Sequence, residues 1–411
     1  MEAVMKRVVI TGMAPLCALG TSHEEVFENL CRKKQVLRKI IKDTPSREKI
    51  RGNYYVPFPE PDHENDTPEL KMVMSRGSKS AYAASAAAVN AVKDAGIEKC
   101  DDDTVVFVGT DSISMEEFSE QIIGFENEHR MSPMMIPVTM QSAIASWVTI
   151  TLGTHGRSGV INMACASSTT AVGMGYESIR DGKTRMAVCG GTSYISDKNF
   201  TIVKGFEYLK CASSDKEGRV YPFSKERNGF LASEGAACMI VLEELGHALE
   251  RNARIYAEVT GFEASSDAYS IVSMLPDGSV INRMLKKLVG DKKVDYYNAH
   301  GTATILNDEV EANVIRDVFG PKEAQPAINS TKAILGHSLG ASGAIEIAVC
   351  ADSIINDRVH GNLCGTVMED LNISRDTIDI PVNRAVSCSF GFGGHNAVIM
   401  LERYRGDTDG K

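Results

Sequence analysis

Apolar strand-like runs alternate with amphipathic or Ala-rich stretches along the whole chain, and this alternation restricts it to an α/β architecture. Runs at 7–10, 105–108, 159–163, 186–189, 238–242 and 397–401 are short and mostly meet Gly or Ser at one end, as strands covered on both faces do. Between them, 80–95 is rich enough in Ala to pack closely on its neighbours. A helix starting near Gly340 sets Ala344, Ile347, Ala348, Ala351 and Ile355 on one face. The Pro-bearing stretch 47–66 reads as an irregular surface excursion. A weak internal echo also runs through the chain. Val8-Val9-Ile10-Thr11-Gly12 returns as Ala257-Glu258-Val259-Thr260-Gly261-Phe262, and the segment from Val105 to Thr110 returns from Val294 to Thr302. Two halves of like plan, 1–250 and 251–411, account for both echoes.

Charge and cysteine usage exclude several function classes. A formal charge of −10 over 411 residues argues against a nucleic-acid binder, which needs clustered Lys and Arg. The chain opens without a secretory pattern, and no uncharged apolar run approaches the roughly 18 residues of a membrane span. A cytoplasmic protein with no membrane or nucleic-acid partner is expected. The ten cysteines are scattered and form no C-x-x-C pair, so neither a metal site nor a disulfide framework is expected; most read as small core residues.

Three segments carry chemistry. In Val160-Ile161-Asn162-Met163-Ala164-Cys165-Ala166-Ser167 an apolar strand gives way to small residues that open a helix, with Val172, Tyr176 and Ile179 as its stripe and Gly182 as its stop. Cys165 therefore sits at a helix N-terminus, where free N–H groups and the helix dipole favour a thiolate and can hold an oxyanion. The second segment, Asn298-Ala299-His300-Gly301-Thr302, ends a strand with a His at the tip. The third, Ser330-Thr331-Lys332 to Gly336-His337-Ser338, sets a His among glycines before a long helix. A Cys and two Gly-flanked His make a nucleophilic site, but the residues alone do not select the reaction; a thiol hydrolase fits nearly as well.

Taken in order, these segments resemble the β-ketoacyl-acyl-carrier-protein synthase family of the thiolase-fold superfamily, synthase II type, which includes type II polyketide ketosynthases. The resemblance runs essentially end to end. It rests on Ala164-Cys165-Ala166-Ser167, Asn298-Ala299-His300-Gly301-Thr302, Ser330-Thr331-Lys332 with Gly336-His337, and Phe390-Gly391-Phe392-Gly393-Gly394. Ser265-Ser266-Asp267-Ala268-Tyr269 and Pro222-Phe223 through Glu226-Arg227-Asn228-Gly229-Phe230 add support.

The resemblance implies a thiolase-like five-layer αβαβα fold of two pseudo-symmetric halves, with the nucleophile in the first and both catalytic histidines in the second. It implies that Cys165 takes the acyl chain, that His300 and His337 handle the malonyl unit, and that Lys332 and Glu346 support them. Phe392 would gate the pocket and share the oxyanion hole with Cys165. Thr302 and Thr304 would contact the pantetheine arm, and Asp308 would be structural. No cofactor is bound; substrates arrive on the phosphopantetheine of an acyl carrier protein, for which Arg130 and Lys210 are the docking candidates. The partner subunit would be a second copy or a chain-length factor. His395, Asn228, Ser233 and the loop Gly109-Thr110-Asp111-Ser112 depart from the housekeeping pattern, which favours a type II polyketide or polyene substrate and leaves the three catalytic positions untouched. Two competing readings are a chain-length partner, which lacks the nucleophile, and an acyl-CoA thiolase, which would make Cys388 catalytic.

Overall fold

The computed structural model describes residues 5–59, 63–111, 115–195 and 199–406. Ten strands form its main sheet: β1 Val8–Leu16, β2 Val105–Gly109, β3 Ser158–Ile161, β4 Met186–Tyr194, β5 Gly235–Glu244, β6 Ala257–Ser266, β7 Tyr296–Asn298, β8 Ala327–Asn329, β9 Arg384–Gly391 and β10 His395–Glu402. The helices used below are α1 His23–Cys31, α2 Lys79–Asp94, α3 Ser142–Leu152, α4 Ser167–Arg180, α5 Ser279–Val289, α6 Ile305–Phe319 and α7 Ser342–Asn356.

The spatial order is β8-β7-β9-β10-β6-β1-β5-β4-β2-β3, so each strand n of the first half matches strand n + 5 of the second. The pairings repeat too: β2 is parallel to β3 and β4, as β7 is to β8 and β9, while β5 and β10 run antiparallel to their neighbours. Both sequence echoes fall on matched strands, β1 with β6 and β2 with β7. The halves join edge to edge through three pairs, Val8↔Val259, Val9↔Glu258 and Ile10↔Ala257.

Strand alternation builds the layers. Val105 and Phe107 of β2, and Tyr296 of β7, face one central core that also takes α4 and α7. Their neighbours face outward: Val106 and Val108 pack on α2 and α3, and Tyr297 packs on α5 and α6. The result is helix, sheet, helix, sheet, helix, the expected fold class. The Ala run of α2 lets it lie directly on β1, where a Cβ on Gly12 would come 2.2 Å from the Ala91 carbonyl oxygen. Among the described residues one helical stretch, Leu339–Asn356, is long and apolar enough to span a bilayer, and it is 89% buried inside the protein. Of the stretch 47–66, the described residues are mostly irregular, apart from a short strand at Tyr54–Tyr55 and the end of a helical turn, and they are not wholly superficial. Val56 is buried, and its N–H donates to the Ala232 carbonyl at 3.0 Å.

Candidate active site

Cys165 lies in the turn between β3 and α4. Ala164 before it takes φ +48°, a left-handed conformation that costs an L-residue about 1–2 kcal/mol. Ser167 holds this turn: its Oγ accepts the Met163 N–H at 2.9 Å and reaches the Ala164 and Thr110 carbonyls at 2.6 and 3.0 Å. The matched turn between β8 and α7 carries His337, whose Nε2 stands 3.2 Å from the Cys165 Sγ. His300 follows β7. One atom from each of Cys165, His300 and His337 lies within 4.8 Å of the other two.

The tautomer of His337 follows from its partners. The Leu339 N–H donates to Nδ1 at 3.2 Å, so in the neutral ring the proton is on Nε2 and points at the sulfur. The ring is neutral, because burial first and then the Lys332 ammonium push it well below the usual histidine range. Burial, Lys332 and His337 do the same to His300. Phe230 packs edge-on to His337 at 4.9 Å and Phe390 packs on His300 at 5.6 Å.

Lys332 and Glu346 form a fully buried ion pair at 2.5 Å, and the Thr331 hydroxyl donates to the same Glu346 oxygen at 2.8 Å. Two acids on α6 fix the His300 turn. Glu311 accepts the His300 and Gly301 N–H groups, each at 2.8 Å; Asp308 accepts those of Phe223 at 2.7 Å and Ala303 at 3.1 Å. Burial raises Asp308 to about 6 and Glu311 to about 7. The sequence reading missed Glu311; its spacing three residues after Asp308 on one helix face was the available signal.

The expectation of an activated thiolate is corrected by the structure. Burial, followed by the Asp111 carboxylate, pushes Cys165 up to about 12, with Lys332 the main opposing charge. The helix begins at Ser167, so Cys165 lies before its first turn, and desolvation outweighs the favourable end of the dipole. The departures are also closer to the chemistry than expected. Asp111 acts on Cys165 through its charge, and the Ser233 N–H donates to the His337 carbonyl at 3.2 Å. Ser112 lies outside the described residues.

The trio opens into a cavity of about 330 Å³. Thr302, Thr304, Lys210, Asn228 and Phe392 line it, and the Thr302 and Thr304 hydroxyls are 2.9 Å apart. The Gly-rich turn after β9 lies against the backbone of Cys165: a Cβ on Gly391 would stand 3.1 Å from the Cys165 nitrogen. His395 packs beneath this turn, its Nε2 2.9 Å from where a Gly393 Cβ would be. Arg130 is exposed and is not among the lining residues, so the structure brings only Lys210 of the two docking candidates to the cavity. Cys388 is fully buried in the apolar core behind β9, as a structural cysteine.

Family models decide what this arrangement belongs to. Residues 5–248 match the beta-ketoacyl synthase N-terminal domain, and 256–365 match its C-terminal domain. The chain belongs to the beta-ketoacyl synthase family. Curated relatives of this synthase include 3-oxoacyl-[acyl-carrier-protein] synthase 2 of Synechocystis sp., 30% identical over 97% of this chain and 99% of that protein. The same enzyme of Staphylococcus aureus strain COL is 32% identical over 97% of this chain and 99% of that protein. Among solved structures, the ishigamide ketosynthase/chain length factor superposes with a TM-score of 0.87 at 27% identity, covering 98% of this chain and all of that one. A type II polyketide acyl-carrier protein in complex with its ketosynthase, bound to the hexaketide, gives 0.85 at 26% identity, covering 97% of this chain and 100% of that one. The synthase is thus a condensing acyltransferase of mixed α/β, thiolase-like fold.

Proposed function

We propose that this synthase lengthens an acyl chain by decarboxylative condensation, with Cys165 as acyl carrier and His300 and His337 as donors to the malonyl unit. The observation that carries the reading is the neutral His337, its Nε2–H fixed by the Leu339 N–H and aimed at the Cys165 sulfur. In the first step the thiol sulfur attacks an acyl-carrier thioester. The carrier sulfur leaves and takes up the proton that Cys165 loses. The oxyanion between these events sits against the backbone N–H groups of Cys165 and Phe392.

In the second step a malonyl thioester loses carbon dioxide, and the electron pair of the broken carbon–carbon bond forms an enolate. Two imidazole N–H donors aimed at its oxygen lower the barrier where charge develops. Because burial, and then Lys332, hold both rings neutral, they donate without transferring a full proton. The enolate carbon attacks the Cys165 thioester and expels a thiolate. With a thiol range near 12, that sulfur regains a proton from water at once.

The carrier is an acyl carrier protein, as in the solved polyketide complex, and Lys210 at the cavity edge suits its acidic surface. The favoured pathway is polyketide or polyene assembly on discrete proteins, in a homodimer or with a chain-length factor. Its support is the similarity to two such ketosynthase structures, the altered lining at Asn228, and the Asp111 charge acting on Cys165. Two measurements test this: acyl-enzyme mass and carbon dioxide release, for wild type and Cys165→Ala given acyl- and malonyl-carriers. Acylation at Cys165 alone is expected; acylation that persists in Cys165→Ala refutes the assignment. Products limited to ordinary saturated fatty chains refute the pathway but not the chemistry.

A further inference from the structure

The cavity that reaches Cys165 opens where its lining becomes exposed, and most of the side chains standing there are apolar. Leu209, Val272, Ile305 and Leu306 line it and are between 39 and 70% exposed. Tyr208 and Ile271, their neighbours in the chain, stand out further at 77 and 78%. Three separate segments thus build one collar: 208–210, the loop 267–275 and the first turn of α6. Single exposed apolar residues are ordinary on a protein surface, but a group of them at one opening marks a place where another molecule binds.

Hydrogen bonds hold the collar in this form. The Asp267 carboxylate accepts the Leu275 N–H at 2.9 Å and closes the loop. The Gly393 N–H donates to the Ile271 carbonyl at 2.8 Å, which ties the middle of the loop to the turn that carries Phe392. Behind Leu209, the Cys211 N–H donates to the Phe206 carbonyl at 2.9 Å. Charge is sparse at this opening. Among the described residues that line the cavity, Lys210 alone carries a formal charge. Lys204 and Arg227, on adjacent segments, are engaged by Glu207 at 2.8 Å and Glu309 at 3.1 Å.

What covers the collar follows from the reaction proposed above, on which this inference rests. A thioester on a phosphopantetheine arm reaches Cys165 by threading the arm through this opening, so the protein at the far end of the arm comes to rest on the rim. We propose that the acyl carrier protein docks on the collar through apolar side chains of its own, with Lys210 adding a steering charge at the edge. Interface centres are depleted of charge, and a few apolar or aromatic anchors supply most of the binding energy. Salt screens charge pairs at a rim and leaves apolar burial intact, so docking here is salt-tolerant.

Two substrates isolate the carrier's share: octanoate loaded on a type II acyl carrier protein, and octanoyl-N-acetylcysteamine, which has the thioester end of the arm and no protein. The readout is the ratio of their kcat/KM values for acylation of Cys165 in the full-length enzyme. Ile271→Lys is expected to lower the ratio at least about tenfold, as loss of an anchor does, even though it adds a positive charge facing an acidic carrier. Ile271→Leu keeps the ratio within about twofold of wild type. Lys210→Ala lowers it by less than about fivefold, and so does raising salt from about 0.05 to 0.5 M. A ratio that rises or holds in Ile271→Lys, or falls further in Lys210→Ala than in Ile271→Lys, shows docking by charge and overturns the proposal. A change of oligomeric state in Ile271→Lys, read by sedimentation, gives the collar to a second copy of this chain and overturns it too. Failure of the underlying reaction is separate: wild-type Cys165 then stays unacylated by octanoyl-N-acetylcysteamine, and the proposal falls with it.

Discussion

The two halves of the molecule repeat one topology but have divided the chemistry between them. After β3 the short turn 162–166 delivers Cys165 to α4, whose first residues, Ser167 to Thr170, are buried and uncharged. After β8 the longer segment 330–341 delivers His337 to α7, and buried ionisable groups gather in this half: Lys332 and Glu346, and, from α6, Asp308 and Glu311 at the His300 turn. β2 leads to Thr110 and Asp111, while its counterpart β7 leads to His300. In the first half burial and the Asp111 carboxylate keep the sulfur protonated at rest. The other maintains an ion pair, and burial together with the cation of that pair keeps two imidazoles neutral. Duplicated architecture therefore fixes where the groups stand, and the burial and local charge of each half decide their protonation.

The comparison breaks most severely at the ion pair. Lys332→Met leaves the Glu346 carboxylate buried without its partner and is expected to cost about 3–5 kcal/mol in denaturant unfolding. Lys332→Met with Glu346→Leu should recover much of that loss. A stability of Lys332→Met equal to wild type would mean the charged half does not depend on its charges. Next in size, His300→Ala should slow carbon dioxide release from malonyl-carrier by about 10²–10³-fold, the usual cost of one lost oxyanion donor. Acylation of Cys165 should continue in that variant, as mass spectrometry of the intact protein would read. Equal loss of both steps would abolish the division of labour.

Smaller effects sharpen the picture of the half that carries Cys165. With its thiol range near 12, Cys165 should react with iodoacetamide about tenfold faster for each unit from pH 7 to 10, where thiolate is the minor form. A plateau below pH 9 would show a thiolate already formed. Asp111→Asn removes a negative charge that disfavours thiolate while retaining an oxygen for the Gly340 N–H, now at 3.0 Å. Alkylation at pH 8 should then quicken by less than about tenfold, a shift under one pKa unit.

Much of this was legible in the chain. Every apolar run read as a strand lies in or overlaps one, because a strand covered on both faces must be apolar at successive positions. The β1/β6 and β2/β7 echoes survive because matched strands face matched cores. Cys165, His300 and His337 were visible through the small residues around them, and only the family resemblance attached a reaction to them. What escaped was set by burial. Glu311 reads as a solvated acid on an amphipathic helix until α6 packs against the His300 turn. The direction of the Cys165 shift depended on how much protein surrounds the sulfur, which spacing does not encode.

The edge where β1 meets β6 has a consequence for how inactivation should proceed. Only three residue pairs join the sheets there, yet the 3.2 Å approach of His337 to Cys165 spans both halves. Neither half holds a complete set of reacting groups, so turnover reports the registry of one half against the other. Loosening that junction by an ångström would silence the enzyme while each sheet and its helices stayed folded. On gentle heating, activity should therefore vanish before the far-ultraviolet circular dichroism changes.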